Sequence, residues 1–235
     1  MTKGNIINII ENYFLYVGQP NIKASSPTTN AIVEIYNAIN QGKPTNIVTV
    51  IDLKKSDEIN KRIEQTKKLL SDQNNKFANI LQPFSYFISE ITDNMQQHSN
   101  TDLGYIFANY NQSNKNIEIV LADGGISIYG SYVNAQKFIE NIKNSDIIAV
   151  EFAKNGYSTK DRPEAENRGF GLSTNIKMIT NGLNGDLAIM SGNALFVASI
   201  DKLIELPEQS DWKGTLILAS FPLDIPSSFD FYNYI

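Results

Sequence analysis

Three side chains at helical spacing carry the first chemical signal. Glu90, Asn94 and His98 fall at i, i+4 and i+8 within Phe87-Ile-Ser-Glu-Ile-Thr-Asp-Asn-Met-Gln-Gln-His98. A helix there sets a carboxylate, an amide and an imidazole in one row on one face. The amide oxygen is a hard ligand acceptable to magnesium, and the carboxylate can accept a proton from an attacking water. A polar, solvated helix face accounts for the same row, so the row alone leaves both readings open.

A second signal is Ile119-Val-Leu-Ala-Asp-Gly-Gly-Ile-Ser-Ile128, an apolar strand that runs into an aspartate and two glycines. An ionised Asp123 accepts hydrogen bonds only. It can receive the exocyclic amine of adenine, and it would repel a guanine carbonyl at the same point. An ordinary Asp-Gly turn after a strand is the plain alternative. Third is Glu166-Asn-Arg-Gly-Phe-Gly-Leu-Ser-Thr174, glycines leading into a helix. Backbone N–H groups at such a start converge on an anion, and Arg168 can add a charge-assisted bond. A flexible loop with a capped helix explains these residues equally well. Fourth is Trp212-Lys-Gly-Thr-Leu-Ile-Leu218, a glycine and a threonine opening a strand, which alone says little because threonine is common in strands.

The elements that must position these residues are legible from periodicity. Residues 5–16 and 30–41 have helical spacing of apolar side chains, with turn formers between them from Gly18 to Thr29. Ile47 to Leu53 is rich in β-branched residues and reads as a strand. Residues 56–72 are charged and helical in period. A long helix is expected from Phe77 to His98, started or kinked by Pro83. Leu103–Asn109 and Asn116–Ala122 read as strands, and Ala135–Lys143 and Asp146–Asn155 as short helices. Residues 156–170 read as a loop and Leu172–Thr180 as a helix. Gly185–Ser191, Ala194–Ile200 and Thr215–Phe221 read as strands, the first two joined by a hairpin turn at Ser191-Gly192-Asn193. This pattern predicts an α+β fold, a two-layer α/β sandwich with helices on one face of a mixed, mostly antiparallel sheet. Residues 76–235 form the domain that holds all four motifs. Residues 1–75 are an α/β segment of unassigned role, which either packs on that domain or stands apart.

Composition narrows the chemistry. The chain has 235 residues, no cysteine and a single histidine. That removes disulfides, thiolate zinc sites, cysteine nucleophiles and zinc sites built on several histidines. With 20 basic against 25 acidic side chains the formal net charge is -5, which gives no electrostatic case for direct nucleic-acid or anionic-membrane binding. No run is both long and apolar enough to span a bilayer, and the N-terminus is not a signal-peptide core. The expectation is a cytoplasmic protein.

The order of the motifs is more specific than any one of them. An acid–amide helix, a strand ending in Asp-x-Gly, a loop, Arg-Gly-x-Gly-Leu into a helix, a hairpin and a Gly-Thr strand follow one another between roughly residues 77 and 222. This order resembles the GHKL superfamily of ATPases and kinases, the Bergerat fold or histidine kinase-like ATP-binding domain. The resemblance implies ATP and Mg2+ as ligands. It gives Glu90 the role of general base and Asn94 that of magnesium ligand, with His98 near the phosphates. It assigns adenine recognition to Asp123, close packing of the base to Gly125, and water-mediated support of the base to Thr215. Gly169, Gly171 and Leu172 match the second glycine box over the phosphates, and Lys160 lies in the family's lid region, within reach of the terminal phosphate. One departure stands out. The first glycine box usually reads Asp-x-Gly-x-Gly, and here Ser127 replaces its second glycine, which requires an ordinary backbone conformation or a small local shift at that position.

The resemblance implies an ATP hydrolase or ATP-gated conformational switch. The alternatives are a serine/threonine kinase acting on a separate partner, like the anti-sigma-factor kinases, and a non-catalytic adenine-nucleotide-binding module. Self-phosphorylation on a separate histidine is excluded, because His98 is the single histidine. In the gyrase and MutL branches a following domain donates a catalytic lysine. The chain ends soon after the last expected strand, so Lys160 or a protein partner is expected to serve instead, and turnover is expected to be slow. A homodimer is a further expectation for the partner surface. The aromatic tail Ser228-Phe-Asp-Phe-Tyr-Asn-Tyr-Ile235 is expected to dock on its own domain.

Overall fold

The computed structural model describes residues 26–55, 78–159, 170–207 and 212–235, with Asp57, Asn60, Lys61, Glu64, Gln65 and Lys68 between the first two stretches. The helix expected over residues 5–16, most of the one expected over 56–72, and Lys160, Arg168 and Gly169 lie outside the described residues.

The central strand explains the layering. β3 (Asn116–Asp123) is buried along all eight residues, so both faces of the sheet are covered around it. Its odd positions Ile117, Ile119 and Leu121 pack with Phe84, Phe87, Ile88 and Ile91 of helix α2 (Leu81–His98). Its even positions Val120 and Ala122 pack with Ala31, Ile32, Ile35 and Tyr36 of helix α1 (Ser26–Gln41) on the opposite side. Each fully buried Phe or Ile side chain stabilises the fold by about 1.5–3 kcal/mol. The period of 2 along the strand assigns alternate residues to two separate cores.

Seven strands form one sheet in the order β1-β2-β3-β7-β4-β5-β6. They are β1 (Thr49–Asp52), β2 (Leu103–Asn111), β3, β4 (Asp186–Gly192), β5 (Ala194–Val197), β6 (Lys202–Glu205) and β7 (Trp212–Pro222). Every pairing among the described residues is antiparallel, so the mixed component of the expected sheet is absent from them. The fold is α+β. The expected helical layer on one face holds for α2, α5 (Asp146–Lys154) and α6 (Phe170–Lys177), which supply Val150, Leu172 and Ile176 to the same core. Helix α1 adds cover to the second face, and β1 pairs with β2. Helix α1 and strand β1 therefore pack on the later domain.

Local chemistry accounts for most boundaries. Pro83 sits in the first turn of α2, where its missing N–H has no intrahelical partner to lose. The hairpin between β4 and β5 turns on Gly192, whose φ of 57° meets the positive-φ requirement of a tight two-residue loop. An unexpected helix, α3 (Ile128–Asn134), precedes the one expected over Ala135–Lys143, which shortens to α4 (Ile139–Ile142). The first is started by Ser127, whose hydroxyl accepts from Gly130 N–H at 3.2 Å, a cap hidden inside a glycine motif. β6 is an edge strand that alternation alone does not reveal.

Helix α6 ends in a wide turn over Met178–Gly182, closed by Leu183 N–H donating to Met178 C=O at 2.9 Å. The aromatic tail docks there, as expected. A Cβ on Gly182 would lie 2.9 Å from atoms of Phe229 and Tyr234, and the buried Phe231 packs edge-on against Tyr86 of α2 at 5.6 Å.

Candidate functional site

The expected row on α2 is formed. Its apolar stripe Phe84, Phe87, Ile88, Ile91 and Met95 faces the sheet, which leaves Glu90, Asn94 and His98 half-buried at its border. Gly171, at the start of α6, lies directly against two of them. A Cβ on Gly171 would come 2.4 Å from Glu90 Oε2 and 3.9 Å from Asn94 Nδ2. Two segments about 80 residues apart in sequence thus place a carboxylate and an amide against a glycine at a helix N-terminus. One turn later the buried Asn175 donates from Nδ2 to Gly171 C=O at 2.7 Å, which fixes that turn. Leu172 contributes to packing, with its side chain against the α2 core.

The second group gathers at the end of β3. The Asp123 carboxylate is 3% exposed. Its Oδ1 accepts from Gly125 N–H at 3.0 Å, and Thr215 N–H also donates to the carboxylate. The backbone carbonyl of Asp123 accepts from Trp212 Nε1 at 3.2 Å. Gly214, with φ of 89°, passes so close that a Cβ there would lie 2.5 Å from Asp123 Oδ1. Burial pushes the Asp123 carboxyl up to about 7, against the lowering effect of the Gly125 and Thr215 N–H groups. A buried carboxylate on the edge of ionisation is a strong acceptor for a neutral N–H donor.

Gly125 has a different physical reason from the one its motif suggests. The space of its missing side chain is taken by Ser99, whose C=O a Cβ would meet at 1.8 Å. Ile126 N–H donates to that same Ser99 C=O at 2.7 Å. Gly124 is pressed from the other side by Ile39 of α1, 2.7 Å from a built Cβ. The loop after Asp123 is therefore clamped between the ends of α1 and α2. Ser127 has φ of -67° and ψ of 171°, an extended conformation open to any residue, so the departure from the glycine pattern needs no strain.

Several residues around the site are not visible as site residues in the sequence. Ser191 is fully buried. It accepts from Ile128 N–H at 2.8 Å, donates to Gly214 C=O at 3.1 Å and meets the Thr215 hydroxyl at 3.1 Å. With its one proton on Gly214, Ser191 receives the Thr215 proton, which leaves Thr215 Oγ1 to accept from water or ligand. Asp146 accepts from Ser127 Oγ at 3.0 Å and from Asn193 N–H at 3.1 Å, so it ties the α3 start to the β4–β5 hairpin. His98 Nδ1 lies 3.0 Å from Thr159 Oγ1. Short polar residues next to turns signal caps in a sequence; nothing in their spacing reveals contacts across about 60 residues.

The structure brings Glu90, Asn94 and Gly171 together, and separately Asp123, Gly125 and Thr215, with Ser99 at the end of α2 joining the two groups. No set of three or more carboxylate, imidazole or thiol groups converges among the described residues. A donor set of one amide oxygen fits magnesium, which keeps waters and takes phosphate oxygens rather than a closed protein cage. No described helix is long and apolar enough to cross a membrane. No protein-family model matches the sequence, and no curated protein matches it.

Proposed function

We propose that this protein binds ATP with magnesium in a Bergerat-type site and acts as a slow ATP hydrolase or ATP-gated switch. The observation that carries the reading is the double anchoring of α2. Its Glu90–Asn94 segment abuts Gly171, and its Ser99 end abuts the loop that holds Asp123. From Glu90 to Ser99 the helix rises about 13 Å at 1.5 Å per residue. That span suits an extended nucleoside triphosphate, with the base at Asp123 and the phosphates at the start of α6.

In this reading Asp123 accepts the adenine amine, and Thr215 Oγ1 supports the base through water. Asn94 offers its amide oxygen to magnesium, which supplies charge neutralisation at the phosphates. The N–H groups at the start of α6 face the phosphates with the favourable end of the helix dipole. Glu90 takes the proton of the attacking water. Phosphate release from purified protein tests the assignment. Glu90→Ala should bind ATP as the wild type does and release none; wild-type turnover in that variant removes Glu90 from the base role.

A further inference from the structure

The contact between Glu90 and Gly171 joins two helices, and the C-terminal tail touches both. On α2, Tyr86 precedes Glu90 by four residues, on the same face and about 6 Å along the axis. Its ring meets the buried ring of Phe231 edge-on at 5.6 Å. Burial, and after it the Glu90 charge, push the Tyr86 phenol above its ordinary value. The Glu90 carboxylate is therefore close enough to act on the ring that the tail holds.

The second hold is at the far end of α6. The rings of Phe229 and Tyr234 stack at 5.8 Å. Both press on Gly182, where a Cβ would meet their atoms at 2.9 Å. Gly182 closes the wide turn that ends α6, and Gly171 lies in the first turn of that helix. The tail's own bonds decide which rings face inward. Phe229 N–H donates to Pro226 C=O at 2.9 Å, and Tyr234 N–H to Phe231 C=O at 3.1 Å. Asp230 Oδ1 accepts from Tyr232 N–H at 3.0 Å. Phe231 is buried as a result, while Tyr232 points to solvent.

We infer that the C-terminal tail sets the spacing of α2 and α6 that places Glu90, with Phe231 and Tyr86 as positioning residues for the hydrolytic step. The inference rests on the nucleotide reading above. The space between Glu90 and Gly171 has no room for a methyl group, so a small shift of either helix moves the carboxylate relative to the phosphates. A misplacement of about 1 Å in a reacting group costs about 100-fold in rate. The base is assigned to the other end of α2, and neither Phe231 nor Tyr86 is assigned to nucleotide or metal. Loosening the tail therefore lowers turnover and leaves ATP affinity in place.

The test compares phosphate release and calorimetric ATP affinity in full-length wild type, Phe231→Ala, Phe231→Leu and Tyr232→Ala, each assayed well below its melting temperature. Phe231→Ala should lower kcat between about 10- and 100-fold, with ATP affinity within about twofold of wild type. Phe231→Leu refills most of the space and should recover most of that loss, to within about threefold of wild type. Tyr232→Ala, at an exposed position of the same tail, should match wild type. Where Phe231→Ala does not fold, Phe231→Leu carries the test through its smaller fall in kcat at constant affinity. Folded Phe231 variants with wild-type turnover, or with affinity falling in step with turnover, overturn this inference alone. So does ATP bound by the wild type without phosphate release, which leaves no step for the tail to position. Absence of ATP binding overturns the inference together with the nucleotide reading.

Discussion

Gly171 lies against Glu90 so closely that a methyl group on Gly171 would press to 2.4 Å from the carboxylate oxygen Oε2. The atom in the way is the tip of a flexible side chain, so Gly171→Ala can be accommodated by turning Glu90 aside. The expected outcome is a folded protein with ATP affinity within a few-fold of wild type and turnover lowered about 100-fold, the usual scale of a general base's contribution. Calorimetry and phosphate release on one preparation check it. Unchanged turnover would mean that the position of Glu90 at the start of α6 is immaterial.

Asp123 makes stability depend on pH. Burial raises its carboxyl from 3.8 to about 7 in the folded protein. A raised folded value means that the group favours folding fully only below its unfolded value, and that this contribution is lost as pH rises through about 7. Above that point ionised Asp123 costs on the order of 4 kcal/mol relative to acid pH. Asp123→Asn cannot ionise. Thermal melts of the two proteins from about pH 5 to about pH 8.5 should therefore diverge in the variant's favour as pH rises; parallel curves would contradict the burial of an ionisable acceptor. ATP affinity should rise between about pH 6 and about pH 8, because an amine donor favours the ionised carboxylate.

Three glycines separate packing from backbone freedom. Gly125→Ala drives a methyl group into the Ser99 carbonyl, a backbone atom that cannot step aside. Gly214→Ala meets the Asp123 carbonyl at 2.4 Å and must also hold a φ of 89°. Each should cost at least about 3 kcal/mol in chemical denaturation. Gly42 also has positive φ but open space around it, and Gly42→Ala should cost only about 1 kcal/mol. Equal losses at all three would refute the clamp.

The docked tail adds stability through the buried ring of Phe231, beside the partly buried Phe229 and Tyr234. Phe231 is 9% exposed and packs on Tyr86 of the helix that carries Glu90. Phe231→Ala should destabilise the fold by about 3 kcal/mol, whereas Tyr232→Ala, at a residue 71% exposed, should be near neutral. A denaturant titration of both variants separates a docked tail from a loose one.

What the sequence shows of this fold follows period. The stripe Phe84, Phe87, Ile88, Ile91 and Met95 and the strand Asn116–Asp123 are legible because buried faces repeat at about 3.6 and about 2 residues. The order of the motifs likewise indicates which side chains to compare: Glu90, Asn94, Asp123 and Thr215. The second core is not legible, because Val120 and Ala122 put apolar residues on the second face of β3 as well, and a strand buried on both faces does not announce which helix covers each. The true neighbour of Gly125 is hidden for a related reason: a glycine's type shows that something approaches, and only the fold shows that it is Ser99. Helix α3 is masked by Ser127, which the glycine pattern presents as a substitution and the structure uses as a cap.

The measurement that bears most directly on nucleotide binding is calorimetric titration of ATP and of GTP, each with magnesium, into wild type and Asp123→Asn. The expected result is saturable binding of ATP, at least about tenfold weaker binding of GTP, and loss of ATP binding in a variant that still melts cooperatively, since one hydrogen bond to a buried charged group contributes about 1.5–3 kcal/mol. Folded wild-type protein that binds neither nucleotide, or that binds both equally with and without the Asp123 carboxylate, would contradict an adenine site at Asp123.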